Sequence, residues 1–413
     1  SPPALSPLGE VLARLGDEFT ADVALGLVAV DAGGLEEIEH NYGGEAQQRA
    51  LDDLGVLVQE LVSPSLGVAD AIVTGETGRS EILIFLFRDA SEVDFYQREL
   101  PELHRVLADA FERRGHRIGY PYLRASPELP VGTAAALRNP TIRAETQIRA
   151  AIEEARREAR LEATLATRRR RRRLFELVLQ GRVRSVYEPI VDVTTRTVFA
   201  YEALARGPEG SELHSPAALF ASASEQDLLF QLDCLCRRSA LDGARDLPGG
   251  AKLFVNVRPT TIHDPSFRAD ALSRTLEKCK LRPSDVVFEI SEQESIGNFE
   301  IFREVRDYYG ELGFQIALDD VGAAYASLEA VLELTPEFIK VDRAFVKGID
   351  QDPGRQELLR ALSSVADRLN ARIIAEGLDK LEELETLAEL GIPLGQGWLF
   401  GKATPLRADV SPV

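Results

Sequence analysis

With 413 residues, 45% of them hydrophobic, the chain has material for two cores and hence two domains. Its 48 basic residues against 67 acidic ones leave a formal charge of −19, the reverse of what a nucleic-acid-binding surface needs. No apolar run approaches membrane-span length and no signal peptide is evident, so a cytoplasmic product without membrane insertion is expected.

The first 137 residues alternate strand-like and helix-like segments. Val23–Asp31 reads as a strand, Glu45–Val62 as a helix, and Ala69–Val73 with Glu81–Phe87 as a hairpin. Ser91–Arg114 reads as a helix and His116–Leu123 as a further strand. Residues 138–180 are rich in Ala, Arg and Glu, with apolar positions Ile142, Ile148, Ile152, Leu161 and Leu165 at helical spacing, and read as a long helical linker. Six consecutive arginines, Arg168–Arg173, fit a solvated helix face answered by Glu153, Glu154, Glu158 and acids of the next domain.

From 181 to 413 apolar runs alternate with helical patterns such as Pro216–Ala244, Ile301–Leu312 and Gln356–Leu369. The runs are Val198–Arg206, Lys252–Val257, Val286–Ile290, Ile316–Asp320, Phe338–Asp342 and Arg372–Gly377. Buried parallel strands look like this, and so many strand-helix units predict an α/β fold of the (β/α)8 barrel type, with chemistry at the strands' carboxyl ends. There lie Glu202, Asn256, Glu289, Asp319, Asp320, Lys340 and Glu376. Any one acid after a strand is more often a helix cap. Five carboxylates in one pocket, however, repel by about 4 kcal/mol per close pair at an effective dielectric near 20. Two divalent cations relieve that repulsion, and Glu, Asp and Asn oxygens suit Mg²⁺ or Mn²⁺. Adjacent aspartates suit a pair of ions that hydrolyses a phosphodiester by in-line water attack, with Lys340 positioning the water. The three cysteines, Cys234, Cys236 and Cys279, and the five scattered histidines fall in no metal-ligand spacing. Met is absent and the chain opens Ser1-Pro-Pro, so further upstream domains are expected.

Leu174 to Arg407 resembles the EAL domain, the bacterial cyclic di-GMP phosphodiesterase. The resemblance rests on Tyr187-Glu-Pro-Ile-Val191, Tyr201-Glu-Ala-Leu-Ala-Arg206, Phe254-Val-Asn-Val257, Phe288-Glu-Ile-Ser-Glu292 and Leu318-Asp-Asp-Val-Gly322. It continues in Ile339-Lys-Val-Asp342, Ala375-Glu-Gly377 and Gly395-Gln-Gly-Trp-Leu-Phe-Gly401. The resemblance implies that Glu202, Asn256, Glu289 and Asp319 hold one metal, that Asp319 bridges to a second held by Asp320, and that Glu376 binds a metal or its water. It makes Lys340, Glu376 and Asp320 catalytic and gives Glu188, Leu204, Arg206, Asp379 and Gln396 to the substrate, Arg206 on a phosphate. Glu292 steadies the loop after the aspartate pair. The implied reaction opens cyclic di-GMP to the linear dinucleotide pGpG, and a homodimer is expected.

The chain departs from the family pattern at Glu188 in place of Gln, at Val321-Gly-Ala-Ala-Tyr325 in place of Phe-Gly-Thr-Gly-Tyr, and at Asp379, one methylene shorter than Glu. None removes a metal ligand. Hydrolysis is the expected activity; the alternative is a receptor that binds cyclic di-GMP without cleaving it. The N-terminal order, with Asn41-Tyr-Gly-Gly44 before a long helix, resembles an α+β GGDEF domain whose signature has decayed to Gly78-Arg-Ser-Glu-Ile82. Asp31 takes the first metal position of that family while the second falls on Gly33, and no Arg-x-x-Asp precedes the turn. The resemblance implies a catalytically dead regulatory and dimerisation domain, with GTP as a weak ligand.

Overall fold

Val23–Asp31 forms strand β1, whose unbroken apolar run is buried on both faces of the sheet. With β2 (Ala71–Thr74), β3 (Glu81–Asp89) and β4 (Val131–Leu137) it builds an antiparallel sheet of order β2-β3-β1-β4. Val28 and Val30 face the same side as Ile82 and Ile84, under Leu54 and Val58 of helix Gly44–Val62 and Leu107 of helix Leu100–Gly119. Leu25 and Leu27 face the other side, with Phe85, beneath helix Leu8–Glu18 and Ile148 and Ile152 of the helix Ala144–Gln180. The computed structural model describes residues 5–76, 78–123, 126–291, 299–322 and 327–406.

Two expectations for this part are corrected. His116–Leu123 is not a strand: the preceding helix runs on to Gly119, since Phe111, Gly115 and Ile118 continue its buried stripe. The helix stops before Pro121, where Tyr120 is extended, as the residue before a proline prefers. The last strand is instead Val131-Gly-Thr-Ala-Ala-Ala-Leu137, paired along β1 from Val30 to Ala24. Three alanines and a glycine hide it from β propensity. The other correction is the start of that helix, which is Leu100 rather than Ser91, after a π-helical turn at Phe95–Glu99.

The chain divides into two units, Ser1–Arg169 and Arg170–Val413, the boundary falling inside the helix Ala144–Gln180. Its arginine run is answered in part as expected, Arg173 pairing with Glu212 of the barrel unit, while Arg169 pairs with Glu162 and Arg172 with Glu176 on the helix itself. Glu153 pairs with Arg156, and Glu158 takes the Thr133 hydroxyl. Among the described residues no helix is long and apolar enough to cross a membrane.

The second unit is a closed barrel. Its strands are β5 (Arg184–Asp192), β6 (Val198–Arg206), β7 (Lys252–Asn256), β8 (Val286–Ser291), β9 (Gln315–Val321), β10 (Phe338–Val341), β11 (Arg372–Ala375) and β12 (Leu394–Gln396). They close in the order β10-β11-β12-β5-β6-β7-β8-β9. All neighbours are parallel except β5, which runs against both β6 and β12, so the all-parallel expectation fails at this strand. A short turn, Val193 to Thr197, joins β5 to β6, and only antiparallel strands accept so short a link. The expected helix Pro216–Ala244 is two, Pro216–Glu225 and Leu229–Gly243, broken where Asp227 adopts φ +56°.

The barrel interior is plugged by one buried apolar residue from every strand: Ile190, Ala200, Phe254, Val287, Ala317, Phe338, Ile374 and Leu394. Side chains of a strand alternate faces, so the next inward-pointing position lies two residues further toward the mouth. That rule sets the composition of the site.

Candidate metal centre at the barrel mouth

Counting two residues from each plug residue gives Glu202, Asn256, Glu289, Asp319, Lys340, Glu376 and Gln396, and, on the reversed β5, Glu188. All eight are polar, and they include most of the expected site. The oxygens of Glu202, Glu289 and Asp319 lie within 4.8 Å of one another, and so do those of Asp319, Asp320 and Glu376. Asp319 belongs to both groups.

Asp320 breaks the period-two rule, since adjacent strand residues point to opposite faces. A bulge rescues it. Between the pairs Ile339↔Leu318 and Val341↔Val321, two residues of β9, Asp319 and Asp320, stand across from one of β10, Lys340. Asp320 absorbs the extra length at φ +59°, a left-handed conformation that aspartate tolerates better than most residues. Both aspartate carboxylates thereby reach the same cluster.

Lys340 is 1% exposed, and its Nζ lies 2.8 Å from Glu289, 2.8 Å from Glu376, 3.0 Å from Asp319 and 3.3 Å from Glu202. Burial disfavours the ammonium, but these carboxylates outweigh it and hold its pKa well above the ordinary lysine value. One cation cannot serve five acids. Burial and the charges of Glu202 and Asp319 push Glu289 well above the usual carboxylate range. Burial, with Asp319 and Glu202, lifts Glu376 to about 8, and burial with Asp319 lifts Asp320 to about 6. Burial would raise Glu202 too, but Lys340, Gln396 and Asn256 outweigh it and hold it low.

The amides complete the layer. Asn256 Nδ2 donates to Glu289 at 3.0 Å and to Glu202 at 3.4 Å, and Gln396 Nε2 donates to Glu202 at 2.6 Å. The Gln396 Oε1 is buried without a hydrogen-bond partner. An all-oxygen donor set with excess negative charge and an orphaned buried oxygen fits divalent cations of the Mg²⁺ or Mn²⁺ class.

The remaining expected residues lie around this layer. Glu188 is paired across the strands with Glu202, and its carboxyl is raised by burial and by that neighbour. Arg206, half-buried at the end of β6, donates to the Ala205 carbonyl; burial lowers its pKa against the pull of Glu188 and Glu202. Leu204 and Asn256 line a cavity of about 280 Å³. Asp379 is not in the carboxylate cluster: it accepts from Arg343 at 2.7 Å, on a loop whose backbone N–H groups at Asp379 and Lys380 are held by the buried Glu383. Glu292 and the altered residues Ala323 and Ala324 lie outside the described residues.

Sequence reasoning missed two buried arginines and the acids that pair with them. In the barrel, fully buried Arg237 is shared between Asp233 and Asp264, the latter at 2.8 Å. In the first unit, Arg156 Nε donates to Glu81 at 2.9 Å, both side chains under 10% exposed. An arginine on an otherwise apolar helix face was the available signal for Arg237.

Residues 171–403 match the EAL domain family. The chain is 29% identical over 226 residues to the probable cyclic di-GMP phosphodiesterase PdeN of Escherichia coli K12, covering 53% of this chain and 43% of that protein. It is 26% identical over 416 residues to the uncharacterized protein y4lL of Sinorhizobium fredii, covering 96% of this chain and 48% of that one. This chain therefore spans less than half the length of these curated relatives. Among solved structures, the Xanthomonas citri FimX EAL domain in complex with c-diGMP has a TM-score of 0.55 at 20% identity, over 61% of this chain and 99% of that one, and shares the barrel fold. The family match takes in all eight strands of the barrel and every residue of its polar layer: the chain belongs to the EAL domain family.

Proposed function

We propose that the barrel hydrolyses cyclic di-GMP to linear pGpG with two divalent cations, Mg²⁺ or Mn²⁺. The observation that carries this reading is the polar layer itself, five carboxylates and two amides converging around one buried lysine at the mouth of an EAL domain. Relatives named as cyclic di-GMP phosphodiesterases support the substrate. Glu202, Asn256, Glu289 and Asp319 would hold one ion and Asp319, Asp320 and Glu376 the other. When bound, the ions would supply Lewis-acid charge that acidifies water and stabilises the charge gathering on the phosphoryl and leaving oxygens.

The chain's own groups do the rest. Lys340 Nζ, fixed by four carboxylates, holds the attacking water and offsets charge on the phosphoryl oxygens. Arg206 grips a phosphate, and Glu188, Leu204, Asp379 and Gln396 face the nucleotide. Water adds to phosphorus as one P–O ester bond breaks, releasing a sugar hydroxyl and leaving one terminal phosphate on the product. The test is incubation of the protein with cyclic di-GMP and Mg²⁺ or Mn²⁺, with Glu202→Ala as the blank; binding without linear product under either metal would favour a receptor and overturn the reading.

Residues 1–137 act, in this reading, as a degenerate GGDEF-like regulatory domain joined by the linker 138–180 to the barrel 181–413, in a homodimer. A cavity of about 750 Å³ lined by Asp31, Gly33, Gly34 and Asn41 supports GTP as its ligand. Glu81, the one acid left in the Gly78–Ile82 turn, is taken by Arg156, which supports the loss of synthase chemistry. Added GTP is expected to change the hydrolysis rate or the hydrodynamic size; no effect on either removes the regulatory role.

A further inference from the structure

Trp398 is the one tryptophan of the chain, and it stands 62% exposed. Packing does not account for it, because the Leu399 and Phe400 that follow are the residues that turn in to the barrel core. Its position does. Gln396, two residues earlier, hydrogen-bonds Glu202 in the polar layer. Two residues of chain reach at most about 7 Å, so the indole is rooted at the rim of the catalytic mouth.

The intervening backbone is rigid. Leu378 donates to the Gln396 carbonyl and accepts from Leu399, each at 3.0 Å. Gly397, at φ +154°, lies so close that a Cβ there would stand 2.3 Å from the Leu378 backbone. The ring is also flanked by charge. Lys402 Nζ lies 5.1 Å and the Arg343 guanidinium 5.9 Å from the ring, and Arg343 is itself fixed by Asp379. Glu376, Lys340 and Gln396 sit two or three residues before Asp379, Arg343 and Trp398 on three successive barrel strands, so a rigid, open aromatic face with two cations borders the metal centre.

We propose that Trp398 is the stacking platform for one nucleobase of the bound cyclic dinucleotide, with Lys402 riding on the ring in the free protein. The inference rests on the phosphodiesterase reading above. A cyclic dinucleotide held by one phosphate in the polar layer carries its bases outward toward the rim, where the indole is rooted two residues beyond Gln396. A base needs a flat π-face already exposed, and stacking on tryptophan gives affinity with little preference among bases. Trp398 therefore sets how tightly the ligand is held, not which base is chosen.

Because Trp398 is the sole tryptophan, the full chain reports its own occupancy. Cyclic di-GMP mixed with the protein and Mg²⁺ in a stopped-flow fluorimeter should quench the emission saturably before turnover. Trp398→Ala should raise KM about 10-fold, with kcat falling less than about threefold, and Trp398→Tyr should bring KM back most of the way. Should the alanine variant misfold by circular dichroism, the quench and the tyrosine variant decide. Wild-type turnover with no quench, or with KM unchanged in Trp398→Ala, sinks the platform and leaves the phosphodiesterase standing. Calorimetry showing no binding of cyclic di-GMP to the wild type removes both.

Discussion

Lys340 is the residue on which the centre turns. With the ions absent its single positive charge faces four carboxylates within 3.3 Å. Lys340→Met leaves those charges buried without a cation, a loss of about 3–5 kcal/mol in the metal-free protein. Denaturant melts in EDTA and in Mn²⁺ should show a larger deficit in EDTA. Asp320 and Glu376, lifted to about 6 and about 8, bind protons more tightly folded than unfolded. The stability they give is complete below their unfolded values near 4 and is lost as pH climbs to about 8. The EDTA-treated protein should therefore melt at a lower temperature at pH 8.5 than at pH 5.5. Mg²⁺ should raise the melting temperature more at the higher pH, and Glu376→Gln should flatten the dependence; an unchanged slope in that variant would show that other groups carry it. Glu202, Asn256, Glu289 and Asp319 were legible as polar ends of apolar runs. The encirclement of Lys340 was not, because it depends on register between strands far apart in sequence.

At the scale of elements, the plug and the bulge do different work. The plug turns a period-two pattern into a floor on which the polar layer stands. Phe254→Ala, under Asn256, should cost about 3–5 kcal/mol in a denaturant melt and weaken metal binding as well, since the floor beneath the ligand is gone. In the other unit, Arg156→Ala strands Glu81 without its cation and should cost about 3 kcal/mol; Glu81→Gln in the same background should recover part of it. The parallel strands β6 to β11 were readable because Val, Ile and Phe crowd between polar tips. Strand β4 was unreadable because its alanines carry little preference, and the extent of the helix before it because the helix and strand periods give similar burial over the few residues from His116 on. The bulge also escaped the sequence: Asp319-Asp320 announces two carboxylates, but the turn of backbone that aims both inward arises only once β10 is alongside.

At the scale of the whole chain, one continuous helix spans the boundary between the two units and the barrel carries the polar layer. Length and composition predict two domains, whereas the reversal of β5 was not foreseeable, since nothing in Tyr187-Glu-Pro-Ile-Val191 records direction. That reversal decides where the chain arrives. Because β5 runs opposite to its neighbours, its first residue, Arg184, is level with Arg206 at the top of β6, while its last paired residues lie at the closed bottom. The helix ending at Gln180 thus delivers its thread to the open rim, and its Leu174 and Leu177 are wedged against Leu213 and Leu219, just past Arg206. A twist or pull on that helix would reach Arg206, the residue proposed to grip a phosphate, as its first stop, without having to travel through the barrel.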